Sequence, residues 1–320
     1  MFFPLQQPLF ARDQNTPPAL GMQRLLLASV LPLGCVLSLA EEKTEKKGFL
    51  YELTKRLIYK PKVGIPEETI DTKLGKGKLF SFKTKDNIEL EGYWLEQKNK
   101  RNSPSVLWLG GGGGSVHTSQ FTIQNLYERC GANVFAFSYR GYGLSGGVPT
   151  EEGLKEDTTS AFERMLSMKG TNKKQLFVFG YCVGGGCAFS LLEKHRHNIA
   201  GFVIENTILS TPAVLARRYT WMPRLINWLP ADKWDIVKTL LPFKGRGRSF
   251  PPTLLLASDE DRHVRPIHMK IIREVLEEVM GRHHKRKLVF VSLKGFGHFK
   301  AGKAPNYFPS IREFLEKNKK

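Results

Sequence analysis

The chain has 320 residues and 41% apolar content, enough to bury the core of one large domain or two small ones. It has no solenoid-length repeat, collagen pattern or broad low-complexity segment, which excludes those classes of protein. Its 49 Lys and Arg against 30 Asp and Glu give a net charge of +19, so its surface attracts anions such as nucleic acid, acidic lipid headgroups or acidic proteins.

Three basic runs, at 243–248, 281–287 and 317–320, concentrate this charge late in the chain. Because the sequence has no zinc-finger spacing and no aromatic RNA-binding signature, we expect no specific nucleic-acid binding. A solvated basic face is the simplest interpretation of these runs. If the charge serves a partner, an anionic membrane surface fits best, since an apolar segment lies near the N-terminus.

That segment is an apolar run of sixteen residues, LLLASVLPLGCVLSLA, at 25–40. A membrane-spanning helix needs about 20 residues, so the run is short for a span. The positive Arg24 before it and the small Ser38 and Ala40 at its end are typical of a signal peptide. An uncleaved signal anchor and a buried helix are the alternatives. We predict that 1–46 is a signal peptide or membrane anchor with a linker, which makes the protein membrane-associated or exported.

Alternating secondary structure begins after a charged connecting arm that ends near residue 78. A β-hairpin is predicted at 78–95, with its turn at Asp86–Asn87. Apolar strands and helices then alternate, which indicates an α/β domain over 47–320 with a mostly parallel central sheet and helices on both faces. The strands are predicted at 105–110, 133–141, 175–180, 199–206, 253–258 and 287–293, and the helices at 118–131, 150–170, 182–195, 266–280 and 305–318.

The interval 207–250 breaks this alternation. It is rich in Trp, Pro, Leu and Arg, as in ARRYTWMPRLINWLP. We predict a helical cap inserted over the sheet edge, whose tryptophans contact substrate. A long crossover without a functional role is the alternative.

The stretch GYCVGG, 180–185, follows an apolar strand and precedes a helix. It fits the G-x-nucleophile-x-G elbow of acyl-transfer enzymes, with Cys182 in the nucleophile position. The start of a helix favours negative charge and therefore favours the thiolate form of a cysteine placed there. Cys130 and Cys187 lie in apolar or small-residue contexts and are interpreted as buried thiols, and the four cysteines do not form a disulfide framework.

Five glycines at 110–114, the glycine loop, follow the first strand after the hairpin. The backbone amide of Gly112, with that of Val183, is predicted to form an oxyanion hole. A dinucleotide or phosphate loop is also glycine-rich, but the sequence has neither a G-x-G-x-x-G that opens a helix nor a G-K-[ST]. No cofactor is therefore expected.

Two further loops after strands supply an acid and a histidine. Asp261 is the predicted acid, with Asp259 in reserve, and His298 is the predicted base because it alone of eight histidines combines a post-strand position with flanking glycines. The alternative for Asp261 is a structural role, in which its carboxylate stabilises a turn or caps a helix. His263 and His268 are four apart, but no further ligand accompanies them, so no metal site is expected.

With these loops the chain resembles the α/β-hydrolase superfamily, and most of all its membrane-anchored domain-containing subgroup, which includes lipid hydrolases and protein depalmitoylases. YRGYGLSGGVPTEEGLKEDTTSAFE at 139–163 and IENTILS at 204–210 carry the likeness, which covers about 78–318. The family usually has His-Gly-Asn-x-Gly where this chain has the glycine loop, and serine where it has Cys182. Related dienelactone hydrolases do use cysteine at this elbow.

The resemblance and the motifs together imply a hydrolase of carboxylic esters or thioesters. Cys182, His298 and Asp261 would form the catalytic triad and a covalent acyl-enzyme. The alternative is a catalytically inactive binding or scaffold protein on the same fold at a membrane. A basic nucleic-acid-binding protein is the third interpretation.

Overall fold

The computed structural model describes residues 55–56, 58–61, 64, 77–215 and 232–319, all within one compact unit, Lys47–Lys320. The predicted N-terminal segment 1–46 lies outside the described residues, and so does 216–231 of the predicted cap, with its Trp221 and Trp228. None of the helices in the described ranges is long and apolar enough to cross a bilayer.

The described part of the chain contains an eight-stranded sheet with the order β1-β2-β4-β3-β5-β6-β7-β8. β1 and β2 form the predicted hairpin, and β2 pairs antiparallel with β4. Every other pairing is parallel, which confirms the mostly parallel sheet. The strands are β1 (Lys78–Lys83), β2 (Glu89–Leu95), β3 (Ser105–Leu109), β4 (Asn133–Phe137), β5 (Leu176–Tyr181), β6 (Gly201–Glu205), β7 (Thr253–Ser258) and β8 (Leu288–Leu293).

Helices cover both faces of this sheet, as predicted. Successive residues of a strand point to opposite faces, and Leu107 and Trp108 of β3 accordingly belong to different core clusters. The helices Gln120–Cys130 and Tyr307–Lys317 bury their apolar residues on one face. The other face is covered by the helices Glu151–Ser167, Val183–Ser190, Ile236–Leu240 and Pro266–Met280, and shorter helices lie at Leu192–His195 and Thr211–Leu215.

The loop after β4 begins earlier than the sequence predicts. β4 ends at Phe137, whereas the apolar run continues to Tyr139. The chain turns here because Gly141 and Gly143 adopt positive φ angles of 79° and 57°. Arg140 stabilises the turn through a salt bridge of 2.8 Å to the buried Asp157. The stretch 139–163, which carries the family resemblance, therefore contributes to the stability of the fold.

Strand order reverses at β3, whose neighbours are β4 and β5. In an open parallel sheet, ligands bind beyond the carboxyl ends of the strands at such a reversal. The glycine loop follows β3 and Cys182 follows β5. The topology therefore brings these two predicted features to adjacent strand ends.

Candidate active site

Cys182 lies at a strained bend between β5 and the helix Val183–Ser190, which we call the elbow helix. Its φ of 55° and ψ of −118° are unusual for a residue with a side chain. The Cys182 amide donates to the Glu205 carbonyl oxygen at 2.9 Å, and this bond holds the bend against the end of β6. The thiol is half-buried, whereas Cys130 and Cys187 are buried.

Two glycines allow the elbow helix to approach the sheet. A Cβ on Gly180 would overlap the Gly184 carbonyl, and a Cβ on Gly184 would overlap the Leu109 carbonyl of β3. Larger residues would push the helix away from both strands. The G-x-C-x-G spacing is thus explained by backbone-to-backbone contact on either side of the bend.

Asp261 and His298 meet in a buried pair. The distance from Asp261 Oδ2 to His298 Nδ1 is 2.6 Å. The second carboxylate oxygen, Oδ1, accepts the amides of His263 and Val264 at 2.8 Å each, so both oxygens are fixed. The reserve candidate Asp259 is exposed and accepts the Gly295 amide instead, at 2.8 Å.

The His298 imidazole also interacts with the Cys182 side chain. Since Nδ1 faces Asp261, Nε2 is the nitrogen left for the sulfur. Burial disfavours the imidazolium, but the negative charge of Cys182 and the hydrogen bond to Asp261 outweigh it and raise the pKa of His298 to about 10. The imidazolium therefore persists through neutral pH and is lost as the pH rises through that value.

The glycine loop borders Cys182. A Cβ placed on Gly111 would lie 3.1 Å from the Cβ of Cys182, and one on Gly112 would lie 3.4 Å from Val183 Cγ2. The Val183 amide is in the first turn of the elbow helix, where a helix has no internal acceptor for its N–H groups. The two residues predicted as oxyanion donors are therefore neighbours in space.

A second carboxylate, which the sequence did not reveal, lies beneath this site. Glu205, at the end of β6, accepts a hydrogen bond from the Tyr307 hydroxyl, and both side chains are buried. Burial raises the pKa of Glu205 to about 7, against the opposing effects of Tyr307 and of the nearby charge of His298. The motif IENTILS contained this glutamate, but nothing local indicated its partner 102 residues away.

His117 was also missed. It lies just after the glycine loop, buried, with its Nε2 2.7 Å from Glu91 Oε1. Burial opposes ionisation of Glu91, but hydrogen bonds from His117 and Ser138 hold the pKa of this carboxyl below its usual value. The available signal is a histidine three residues after the last glycine of the glycine loop.

A family model for the α/β hydrolase fold matches residues 104–233 of the chain. This range begins just before β3 and includes both the glycine loop and the elbow. The chain has the α/β-hydrolase fold. The resemblance predicted from the sequence is thereby confirmed, although the match does not concern the type of nucleophile.

Similar proteins match most of the length of this chain. Protein bem46 of Schizosaccharomyces pombe is 26% identical over 280 residues, which cover 85% of this chain and 88% of that protein. An uncharacterized membrane protein of Saccharomyces cerevisiae is 29% identical over 228 residues, covering 70% and 78%. The Pyrococcus furiosus esterase Pf2001 superimposes with a TM-score of 0.63 at 18% identity, covering 82% and 98%, a likeness of fold.

The buried carboxyl of Glu205 predicts a pH-dependent stability. Its pKa is about 7 in the folded chain and 4.5 without perturbation, so between these values only the unfolded chain has released the proton. The free energy of unfolding should therefore fall as the pH rises from 5 to 8, by about 3 kcal/mol from this group. Urea unfolding of the parent and of Glu205→Gln at both pH values measures it. An equal pH dependence in both proteins would contradict the assignment.

The electrostatic effect of Cys182 on His298 predicts that Cys182→Ala lowers the pKa of His298 toward the ordinary histidine range, because the Cys182 charge raises that pKa and is then removed. A ¹³C-histidine NMR titration, with the signal assigned from His298→Gln, measures the midpoint. Cys187→Ala is the matched control, since this buried thiol is not among the groups that act on His298. A midpoint that does not differ between the two cysteine variants would overturn the interpretation.

Proposed function

We propose that the protein hydrolyses carboxylic esters or thioesters through a covalent intermediate on Cys182. One observation carries the proposal: the buried His298 contacts the Asp261 carboxylate at 2.6 Å with one nitrogen and interacts electrostatically with the Cys182 side chain. A nucleophile, a base and an acid that orients the base are the groups that acyl transfer needs.

In the first half-reaction, the Cys182 thiolate attacks the carbonyl carbon of the acyl group and forms a C–S bond. The carbonyl oxygen becomes an oxyanion, which the amides of Gly112 and Val183 stabilise. When the tetrahedral intermediate collapses, the bond to the leaving oxygen or sulfur breaks. The His298 imidazolium gives its proton to that leaving atom, and Asp261 holds the ring in the required orientation.

In the second half-reaction, the neutral His298 removes a proton from water, and the resulting hydroxide attacks the thioester carbonyl. The C–S bond breaks, the carboxylic acid leaves, and Cys182 returns to the thiolate beside the imidazolium. Strain in the Cys182 backbone keeps the sulfur at the end of the strand throughout the cycle.

The alternative is an inactive binding or scaffold protein on this fold. Two features favour the enzyme. Among the cysteines that the structure describes, only Cys182 has a half-buried rather than a buried side chain, and it is the one that meets His298. A binding or scaffold protein does not need a buried aspartate–histidine pair beside a half-buried thiol.

The test is turnover of aryl esters and acyl thioesters of several chain lengths by the full-length protein. Cys182→Ala should abolish turnover, and Asp261→Asn and His298→Ala should each lower kcat by at least about 100-fold, because each loses a group that acts in the transition state. Rapid quenching and mass spectrometry of the parent should detect an acyl group on the peptide that contains Cys182.

The controls are matched to these variants. Asp259→Asn changes the other carboxylate in the loop after β7, and Cys187→Ala changes the buried thiol of the elbow helix. Both variants should retain parental kcat. If the parent turns over none of the esters or thioesters, or if Cys182→Ala equals the parent, the protein is not this hydrolase and the scaffold alternative is favoured.

We also propose that the face around His298 meets an anionic membrane surface. Phe299 is 74% exposed, and its ring centroid lies 5.0 Å from that of His298. Such a side chain suits insertion among lipids, and basic residues attract their acidic headgroups. The exposed basic residues in the loops after β7 and β8 are Arg262, Arg265, Lys294, Lys300 and Lys303.

Vesicle flotation of the full-length chain tests this surface. Binding to vesicles of phosphatidylserine and phosphatidylcholine should exceed binding to pure phosphatidylcholine, and Phe299→Ser should reduce it several-fold because an apolar anchor is lost. Leu79→Ser, on the edge strand β1, is the control for an exposed apolar residue elsewhere. Parental binding by Phe299→Ser would exclude this face as the contact.

A further inference from the structure

The chain segment before the hairpin lies against the glycine loop. We call its described residues 55–56 and 58–61 the N-terminal arm. The Lys60 amide donates to the Gly112 carbonyl at 2.7 Å. A Cβ on Gly112 would overlap the Ile58 carbonyl oxygen, so only glycine fits opposite the arm. The arm thus occupies the space that a side chain at position 112 would need.

The glycine loop has no side chains that could fix its own conformation. Its turn is closed by the Gly114 amide, which donates to Gly111 at 3.3 Å. Glycine is the residue with the greatest backbone freedom, and fixing one residue's backbone costs about 1–2 kcal/mol. The Gly112 carbonyl, however, accepts two bonds from outside the loop, one from the Lys60 amide and one from the Tyr142 hydroxyl at 2.8 Å.

Tyr59 fastens the arm to the far side of the elbow helix. Its hydroxyl donates to Asp232 Oδ2 at 2.6 Å and accepts from Trp234 Nε1 at 2.8 Å, and the tyrosine is buried. The Trp234 ring packs where Gly186 of the elbow helix has no side chain. Asp232 is itself held by the Glu151 amide at 2.8 Å.

We infer that the N-terminal arm positions the glycine loop for catalysis, with Tyr59 and the Lys60 amide as its positioning groups. The inference rests on the proposed function, because it assigns the arm to the oxyanion hole of that same site. Ile58, Gly112 and Val183 come together at one point, so the arm touches the loop beside both predicted oxyanion donors. Contacts with the N-terminal arm thus restrict the backbone of the glycine loop, which its own residues cannot do.

A positioning role has a specific kinetic consequence. Oxyanion donors act mainly in the transition state, and their effect requires that they be held in place before the reaction. Loosening the arm should therefore lower kcat and leave KM nearly unchanged. The Cys182–His298–Asp261 contacts do not involve the arm, so the reactivity of the thiol toward a small alkylating agent should not change.

The experiment compares full-length Tyr59→Phe and Lys60→Pro with the parent. Tyr59→Phe removes the two hydroxyl bonds, and Lys60→Pro removes the amide donor to Gly112 together with the lysine side chain and also fixes φ at this position. We expect kcat to fall about 10- to 100-fold in each, KM to change less than about threefold, and alkylation of Cys182 by iodoacetamide to proceed at the parental rate. Arg56→Ala, an exposed side chain on the same arm, should behave as the parent.

A second measurement does not depend on turnover. Hydrogen–deuterium exchange of the glycine-loop peptide should be at least about tenfold faster in Tyr59→Phe and Lys60→Pro than in the parent, because its anchor is released. If exchange does not change in Lys60→Pro, the arm does not hold the loop and the inference is wrong. If exchange rises but kcat stays parental, the arm holds the loop without positioning catalysis, which also overturns it.

The kcat values and the exchange rates together distinguish a failure of this inference from a failure of the proposed function. If the parent turns over no acyl substrate, the proposed hydrolase activity fails, and the catalytic role of the arm fails with it. Faster exchange in the arm variants would then establish the contact as structural alone. If the parent is active, kcat and exchange must change together for the inference to stand.

Discussion

The site depends on one backbone constraint, the close contact of the elbow helix with β3 and β5. Cys182 is held at a positive φ because Gly180 and Gly184 let the strand, the bend and the helix touch backbone to backbone. A conformation of this kind costs about 1–3 kcal/mol and persists only when its surroundings determine it. Here Cys182 is held in this conformation by packing against the sheet and by the hydrogen bond from its amide to the Glu205 carbonyl.

The electrostatics of the site follow from this geometry. The bend brings the thiol to the imidazole, and three acidic groups then share a small buried region with one base. Asp261 and Cys182 both stabilise the His298 imidazolium, whereas Glu205 keeps its proton up to a pH of about 7. Because burial holds Glu205 neutral against the opposing effect of the Tyr307 hydrogen bond, the region avoids a further negative charge that His298 alone would have to balance.

Much of the fold could be predicted from the sequence because buried parallel strands are continuous apolar runs. β7 has the predicted bounds for this reason, and the loops after β3, β5, β7 and β8 could be assigned to one edge of the sheet. β4 was predicted too long because an apolar run does not reveal where glycines at positive φ turn the chain. The predicted order of Cys182, Asp261 and His298 came from motif positions, and their catalytic roles remain predictions.

The buried polar pairs could not be predicted. Glu91 with His117, Glu205 with Tyr307, and Tyr59 with Asp232 join residues that are 26, 102 and 173 positions apart. Helical and strand periods report only which face of an element a residue occupies. They carry no information about which polar group on another element will lie opposite, and that depends on the packed tertiary structure.

The separation between Tyr59 and Asp232 also bears on the order in which the chain acquires its structure. Tyr59 is synthesised early, yet its hydroxyl cannot bond to Asp232 until 173 further residues have been made, or to Trp234 until 175 have been made. Contacts so distant in sequence form late, since the chain must close a long loop first. The Tyr59–Asp232 bond can therefore form only after the chain has been synthesised to residue 232, whereas the bond of the Lys60 amide to Gly112 closes a much shorter loop and can form earlier.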